Sequence, residues 1–375
     1  MKLHWDFTAF INDHWQQAPL YIEKALPELS DLISPAQVHA LATDPEITTY
    51  MDIGDGPYPI MRYGPFDNQE SASKNATLRL VAAHHWLPEL SALLKPFSHL
   101  PSWLIETLTV SIHQPQKWCG PFIDNFDTLL LQGSGKRRWQ LGEKVDDVVD
   151  DHSLPEYVPT ETLGRPSVDV EMCAGDLLYI PAGVPYRSLT IDEGITYALL
   201  LRTPSPQELV QNLSDFLQEE DASPIPMALT PREENGEIST KDFAAMEDAI
   251  RDWLDQPERM KTWIGALLSR SRHELDIVAS PAPWLENELY DYLQKGNRLI
   301  KLPGLKTLYH PDTPETLYID GEVFTVPSNN DAIGPLICNH SHLDITHFGE
   351  NINDPVTLAL VCELTNLGYF RPESE

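Results

Sequence analysis

The spacing of hydrophobic positions changes twice along this chain, and each change predicts a different kind of element. Near the start Phe7, Phe10, Ile11 and Trp15 recur at helical spacing, and Ser34-Pro35 reads as an N-cap followed by proline at the first helical position. The first hundred residues are therefore expected to be helices with short extended pieces. From Ile105 to Leu201 the apolar runs shorten: Ile105–Ile112, Thr128–Gln132, Arg138–Leu141, Val168–Met172, Leu177–Ile180, Arg187–Ile191 and Ile195–Leu201. Gly133-Ser134-Gly135, Ala174-Gly175-Asp176 and Asp192-Glu193-Gly194 punctuate them, which is the spacing of an all-β sandwich or barrel.

Helical spacing returns after Pro204 and Pro206. One stripe holds Leu209, Leu213, Phe216 and Leu217, a second Phe243, Met246, Ile250, Trp253 and Leu254, a third Met260, Trp263, Ile264, Leu267 and Leu268. Between the first two, Glu219–Ser239 is rich in acid, proline and small residues and is expected to be a surface linker. Such helices bury their apolar faces on each other or on a second subunit, so a homodimer is expected. The end of the chain has a helix around Leu289–Leu293, extended runs at Arg298–Leu302 and Leu305–Tyr309, a hairpin over Thr316–Val326 turning on Asp320-Gly321, and a helix over Pro355–Leu367. Helix, hairpin and helix together suggest a winged-helix-like module.

Composition narrows the partners. With 26 basic against 57 acidic side chains the net charge is -31, so the electrostatic footprint for nucleic acid is missing, whereas a basic protein partner fits. Cys119, Cys173, Cys338 and Cys362 lie far apart without a Cys-x-x-Cys pair, and free thiols are expected. Met1-Lys2-Leu3-His4-Trp5-Asp6 lacks an apolar signal core and no run of about 18 apolar residues occurs, so a cytoplasmic protein with no membrane partner is expected.

Five stretches carry a resemblance: Tyr63-Gly64-Pro65-Phe66, Gly120-Pro121-Phe122-Ile123-Asp124, Gln132-Gly133-Ser134-Gly135-Lys136-Arg137-Arg138-Trp139, Tyr179-Ile180-Pro181 and Ser269-Arg270-Ser271-Arg272-His273-Glu274-Leu275-Asp276. With the order of elements, they make the chain similar to the bacterial ribosomal oxygenases of the cupin-4 group, JmjC-domain proteins that hydroxylate an arginine of a large-subunit ribosomal protein with Fe(II) and 2-oxoglutarate. The fold so implied is α+β: a double-stranded β-helix, the JmjC/cupin jelly roll, with helical preface, helical dimerisation segment and small C-terminal winged-helix-like domain. The expected parts are 1–204, preface plus JmjC/cupin domain; 205–280, dimerisation segment; and 281–375, winged-helix-like domain.

Carried over by position, Asp124 matches the metal carboxylate and Arg137 the arginine that pairs with the distal carboxylate of 2-oxoglutarate, a task suited to a planar fork of donors. Phe122 and Tyr186 stand where the family has its two metal histidines. Such iron needs two imidazoles and a carboxylate on one face. A phenyl ring has no lone pair, and a phenol with a reference pKa of about 10 is a poor ligand while protonated.

Three readings follow. The first is a catalytically silent relative, a pseudoenzyme that keeps the fold and a protein partner, a basic ribosomal protein, and uses no cofactor. The second is an active Fe(II)/2-oxoglutarate-dependent hydroxylase of a ribosomal protein arginine whose ligands are rebuilt from His113, Cys119 or Asp127. The third is a small-molecule-binding cupin whose aromatic pair lies beside Asp124 and Arg137. Whether the chain is an enzyme stays open at this point.

Overall fold

The computed structural model describes residues 1–29, 32–53, 60–71, 76–113, 115, 118–145, 156–219, 234, 236–326 and 331–373. They fall into two compact units: Met1–Thr203 with Arg272–Asp276, and Pro204–Ser271 with Ile277–Glu375. Most of the linker expected over Glu219–Ser239 lies outside the described residues.

Thirteen strands build the first unit among the described residues: β1 Leu20–Ile22, β2 Thr49–Ile53, β3 Ile60–Tyr63, β4 Ala76–Leu80, β5 Ile105–His113, β6 Trp118–Ile123, β7 Asp127–Gln132, β8 Lys136–Leu141, β9 Glu156–Tyr157, β10 Val168–Met172, β11 Leu177–Ile180, β12 Tyr186–Asp192 and β13 Gly194–Leu201. An eight-stranded sheet runs β1-β11-β7-β13-β5-β4-β2-β3 and a five-stranded sheet β10-β8-β12-β6-β9, with every pairing antiparallel.

The alternation of side chains explains why these strands read as unbroken apolar runs. Leu129, Leu131, Leu177 and Tyr179 point from the large sheet into a core shared with Phe10, Leu26, Val38 and Phe97 of the preface. Their neighbours Leu130, Leu178 and Ile180 point the other way, onto Trp139 and Leu141 of the small sheet. A strand covered on both faces has no polar side, so its pattern is a run and not an alternation.

The preface is less helical than its spacing suggests. Its helices Phe7–Asp13 and Pro35–Leu41 form, the latter with a capping box between Ser34 and Gln37. The extended pieces become β1, between these helices, and β2 to β4, after the second, and enlarge the main sheet. Gly64 links β3 to the buried Phe66 and donates its N–H to the Thr49 carbonyl at 2.9 Å.

In the second unit, helices Pro206–Glu219, Thr240–Leu254 and Pro257–Ser269 follow the three expected stripes. Beyond them, helix Glu286–Gln294 precedes a small sheet in which Leu299–Lys301 lies between His342–Leu343 and Phe370–Pro372. A second sheet holds Thr307–His310, Thr313–Ile319 and Glu322–Thr325. Its wing turns on Asp320-Gly321, both at positive φ of 49° and 89°, as a tight two-residue hairpin requires. Helices Ile333–Asn339 and Pro355–Asn366 complete the winged-helix unit.

Candidate functional site

β6 and β12 are paired, and Tyr186 lies opposite Phe122 in their register. The two aromatic side chains are thus placed by backbone hydrogen bonding, with ring centroids 5.6 Å apart and planes tilted by 38°. Gly120 shapes the entry to this strand: its φ is +96°, and a Cβ there would stand 2.9 Å from both a Phe122 ring carbon and the Tyr186 carbonyl. Only glycine fits both constraints.

Asp124 follows the end of β6 and is held from both sides. Its carbonyl accepts the Gly183 N–H at 2.7 Å, which ties it to the Pro181-Ala182-Gly183 turn. Its carboxylate Oδ2 accepts from the Tyr186 hydroxyl at 2.9 Å, while Oδ1 has no partner among the described residues. The group is 6 % exposed, and burial pushes its pKa up to about 7 against the opposing pull of the Tyr186 hydroxyl and the Arg79 guanidinium. Burial and the adjacent carboxylate likewise push the Tyr186 phenol well above its ordinary value. The phenol keeps its proton and gives it to the hydrogen bond.

This donor set does not fit a two-histidine, one-carboxylate iron. Phe122 offers no lone pair, and one oxygen of Asp124 is engaged by a phenol. The proposed substitutes are committed elsewhere. His113 accepts at Nε2 from Arg137, Cys119 lies 3.6 Å from Arg79 and 3.7 Å from Asp52, and Asp127 accepts from the Tyr179 hydroxyl, Gln16 and the Ala182 N–H. Among the described residues none of them closes with Asp124 into a three-ligand cluster.

Arg137 lies on β8, is 4 % exposed and stacks at 4.5 Å over Trp139. One terminal nitrogen donates to His113 and the other to the Ser188 hydroxyl at 2.6 Å, leaving Nε without a partner among the described residues. Burial lowers its pKa to about 9. The guanidinium thus faces an imidazole and a hydroxyl.

Spacing did not point to the buried Arg79–Asp52 ion pair, which joins β4 to β2. Arg79 lies 5.2 Å from the Tyr50 ring and 5.7 Å from the Phe122 ring, so it forms one wall of the site. The signal was present as one arginine and one aspartate inside otherwise buried strands. His85 contacts the Glu274 carbonyl through Nδ1 at 2.9 Å. Arg272 pairs with Glu106 at 3.4 Å, so the Arg272–Asp276 stretch belongs to the first unit.

Comparison with known proteins agrees with this architecture. Residues 92–209 match the JmjC domain and residues 249–371 the ROXA-like winged helix. The chain is 30% identical to the ribosomal protein uL16 3-hydroxylase of Escherichia coli over 99% of its own length and 98% of the relative's. It is 25% identical to a probable ribosomal oxygenase of Haemophilus influenzae over 84% and 80%. Among solved structures it resembles the E. coli ribosomal oxygenase YcfD in complex with cobalt and 2-oxoglutarate, with TM-score 0.89, 29% identity and coverage of 100% of this chain and 99% of that one.

Proposed function

The chain belongs to the ribosomal oxygenase family of JmjC-domain proteins, and from that premise we propose that it is a catalytically silent member that keeps the fold and a protein partner. One observation carries this reading: the Tyr186 hydroxyl donates to Asp124 across the place where a metal would need two imidazoles, and Phe122 packs beside it. A hydrated ion is replaced by a hydrogen bond and an aromatic contact. On this reading the barrel residues carry out no oxidation and the chain uses no cofactor.

The partner proposed is a basic ribosomal protein. The relative's name specifies uL16, and the net charge of -31 supports a basic surface as the thing bound. Residues 205–280 are proposed as a dimerisation segment, since Phe243, Met246, Ile250 and Leu254 are between 41% and 65% exposed on one helix.

A second reading is favoured by Arg137. A buried guanidinium with no carboxylate paired to it among the described residues suits a small carboxylate ligand, as in a small-molecule-binding cupin.

The test is an anaerobic titration with Fe(II) and 2-oxoglutarate, read by the visible charge-transfer band of the chelate, on the native protein and on Phe122→His/Tyr186→His. No band in the native chain and a band in the double variant is the expected result. A band in the native chain that Asp124→Asn abolishes, or succinate release with uL16, overturns it. Stabilisation of the native protein by 2-oxoglutarate without iron, lost in Arg137→Met, establishes the second reading.

A further inference from the structure

A separate group of metal-binding side chains lies in the winged-helix unit. Asn339-His340-Ser341-His342-Leu343-Asp344-Ile345-Thr346-His347 passes from the end of one helix through a short strand into the next helix. Ligand atoms of His342, Asp344 and His347 all lie within 4.8 Å of one another, and theirs is the one such cluster among the described residues. All three side chains are partly buried.

The backbone holds these residues firmly. His342 sits on the strand paired with Leu299–Lys301, opposite Ile300, while its neighbour Leu343 is fully buried and fixes which way the strand faces. Asp344 caps helix Ile345–Phe348, accepting from the Thr346 and His347 N–H groups at 3.0 and 3.2 Å, and Phe348 anchors that helix in the core. A third imidazole adds to the set: the His340 ring centroid is 4.5 Å from that of His347, and its Nδ1 is held at 2.9 Å by the Leu336 carbonyl. The His342 and His347 centroids are 5.1 Å apart. The His342 imidazole makes no hydrogen bond among the described residues, while its backbone belongs to the strand ladder.

We propose that His342, Asp344 and His347 form a binding site for a divalent transition metal of the zinc class, with His340 or water completing the coordination. Imidazole and carboxylate donors in this ratio suit zinc and disfavour magnesium or calcium, which take oxygen ligands. Tetrahedral zinc needs ligand atoms about 3.4 Å apart, so closure asks only for rotation of partly exposed imidazoles. Three contacts compete with the ion, the first being the Thr346 hydroxyl, which donates to Asp344 Oδ1 at 2.6 Å. The His347 Nδ1 to Asp344 Oδ1 hydrogen bond at 2.8 Å must be exchanged for coordination, and Arg298 Nε lies 3.9 Å from Asp344 Oδ2. Without an ion, the same group is a helix cap with histidines packed edge to face. The site would tie the strand carrying His342 to the helix carrying His347, stiffening one corner of the winged-helix unit. This inference is independent of the state of the barrel site.

Untagged full-length protein is dialysed against Zn(II), passed over chelating resin and assayed for bound zinc, and Co(II) binding is followed by its visible absorption. About one retained equivalent and a tetrahedral Co(II) spectrum are expected. His342→Ala and His347→Ala should each weaken binding by about tenfold or more, while His310→Ala, at a half-buried histidine of the same unit outside the cluster, leaves it unchanged. Circular dichroism and the milder His342→Asn and His347→Gln variants separate ligand loss from misfolding. The proposal fails if the native protein retains no zinc, if the folded His342 and His347 variants retain it undiminished, or if Asp124→Asn alone removes it, which would place the ion in the barrel.

Discussion

A single hydroxyl decides much about the barrel site. Tyr186→Phe keeps the ring and removes the donor to Asp124, leaving a buried carboxyl with both oxygens short of partners. Urea unfolding should show a loss of about 1–3 kcal/mol, and Tyr186→Phe/Asp124→Leu should recover part of it because the orphaned polar group is gone. Equal stability of wild type and Tyr186→Phe would count against the hydrogen bond. In the winged-helix unit Lys301 makes a pH-dependent contribution. Burial pushes its ammonium down to about 8, while burial pushes the nearby Cys338 thiol up to about 12. Below pH 8 the lysine is charged whether folded or unfolded, and the burial cost is present in full. Above it the unfolded chain, with a lysine pKa of about 10.4, binds more protons, so stability rises with pH by at most about 1.4 kcal/mol per unit. From about pH 8.5 the unfolded Cys338 ionises while the folded thiol does not, which opposes the rise. A gain between pH 8 and 9 that flattens above, and is absent in Lys301→Met, is the expected pattern in denaturant melts.

At the level of elements, some strands were legible and others were not. The seven expected runs between Ile105 and Leu201 all became strands, because short runs of β-branched, aromatic and leucine residues, continuous or alternating with polar ones, lie between turn residues. β6 was not expected, although it carries Phe122: Trp118-Cys119-Gly120-Pro121-Phe122-Ile123 contains glycine and proline, which are read as breakers. Pairing with β12 and β9 overrides that local signal. The second helix of the other unit leaves Phe243 and Ile250 65% and 62% exposed, and Phe243→Asp/Ile250→Asp is expected to turn a dimer into a monomer in sedimentation or light scattering without loss of helix content. A native monomer would remove the dimerisation proposal.

At the scale of the whole molecule, the charge of -31 predicts that binding to a basic ribosomal protein weakens with salt and that association slows more than dissociation quickens. Salt-insensitive binding, measured by interferometry across an ionic-strength series, would point to an apolar contact instead. No described helix is long and apolar enough to cross a membrane. The sequence by itself determined a β-sandwich or barrel core, a helix–hairpin–helix end and the absence of imidazole at positions 122 and 186, because apolar periodicity, turn residues and side-chain chemistry are local properties, and its resemblance to a known family pointed to the jelly roll. It could not place Arg79 and Asp52 against Phe122, set the Tyr186 hydroxyl on Asp124, turn His113 onto Arg137 or separate one buried carboxyl from another. Those pairings join residues that are far apart in the chain, and only sheet register brings them within hydrogen-bonding distance. Burial then sets their charge, and burial is a property of the packed whole.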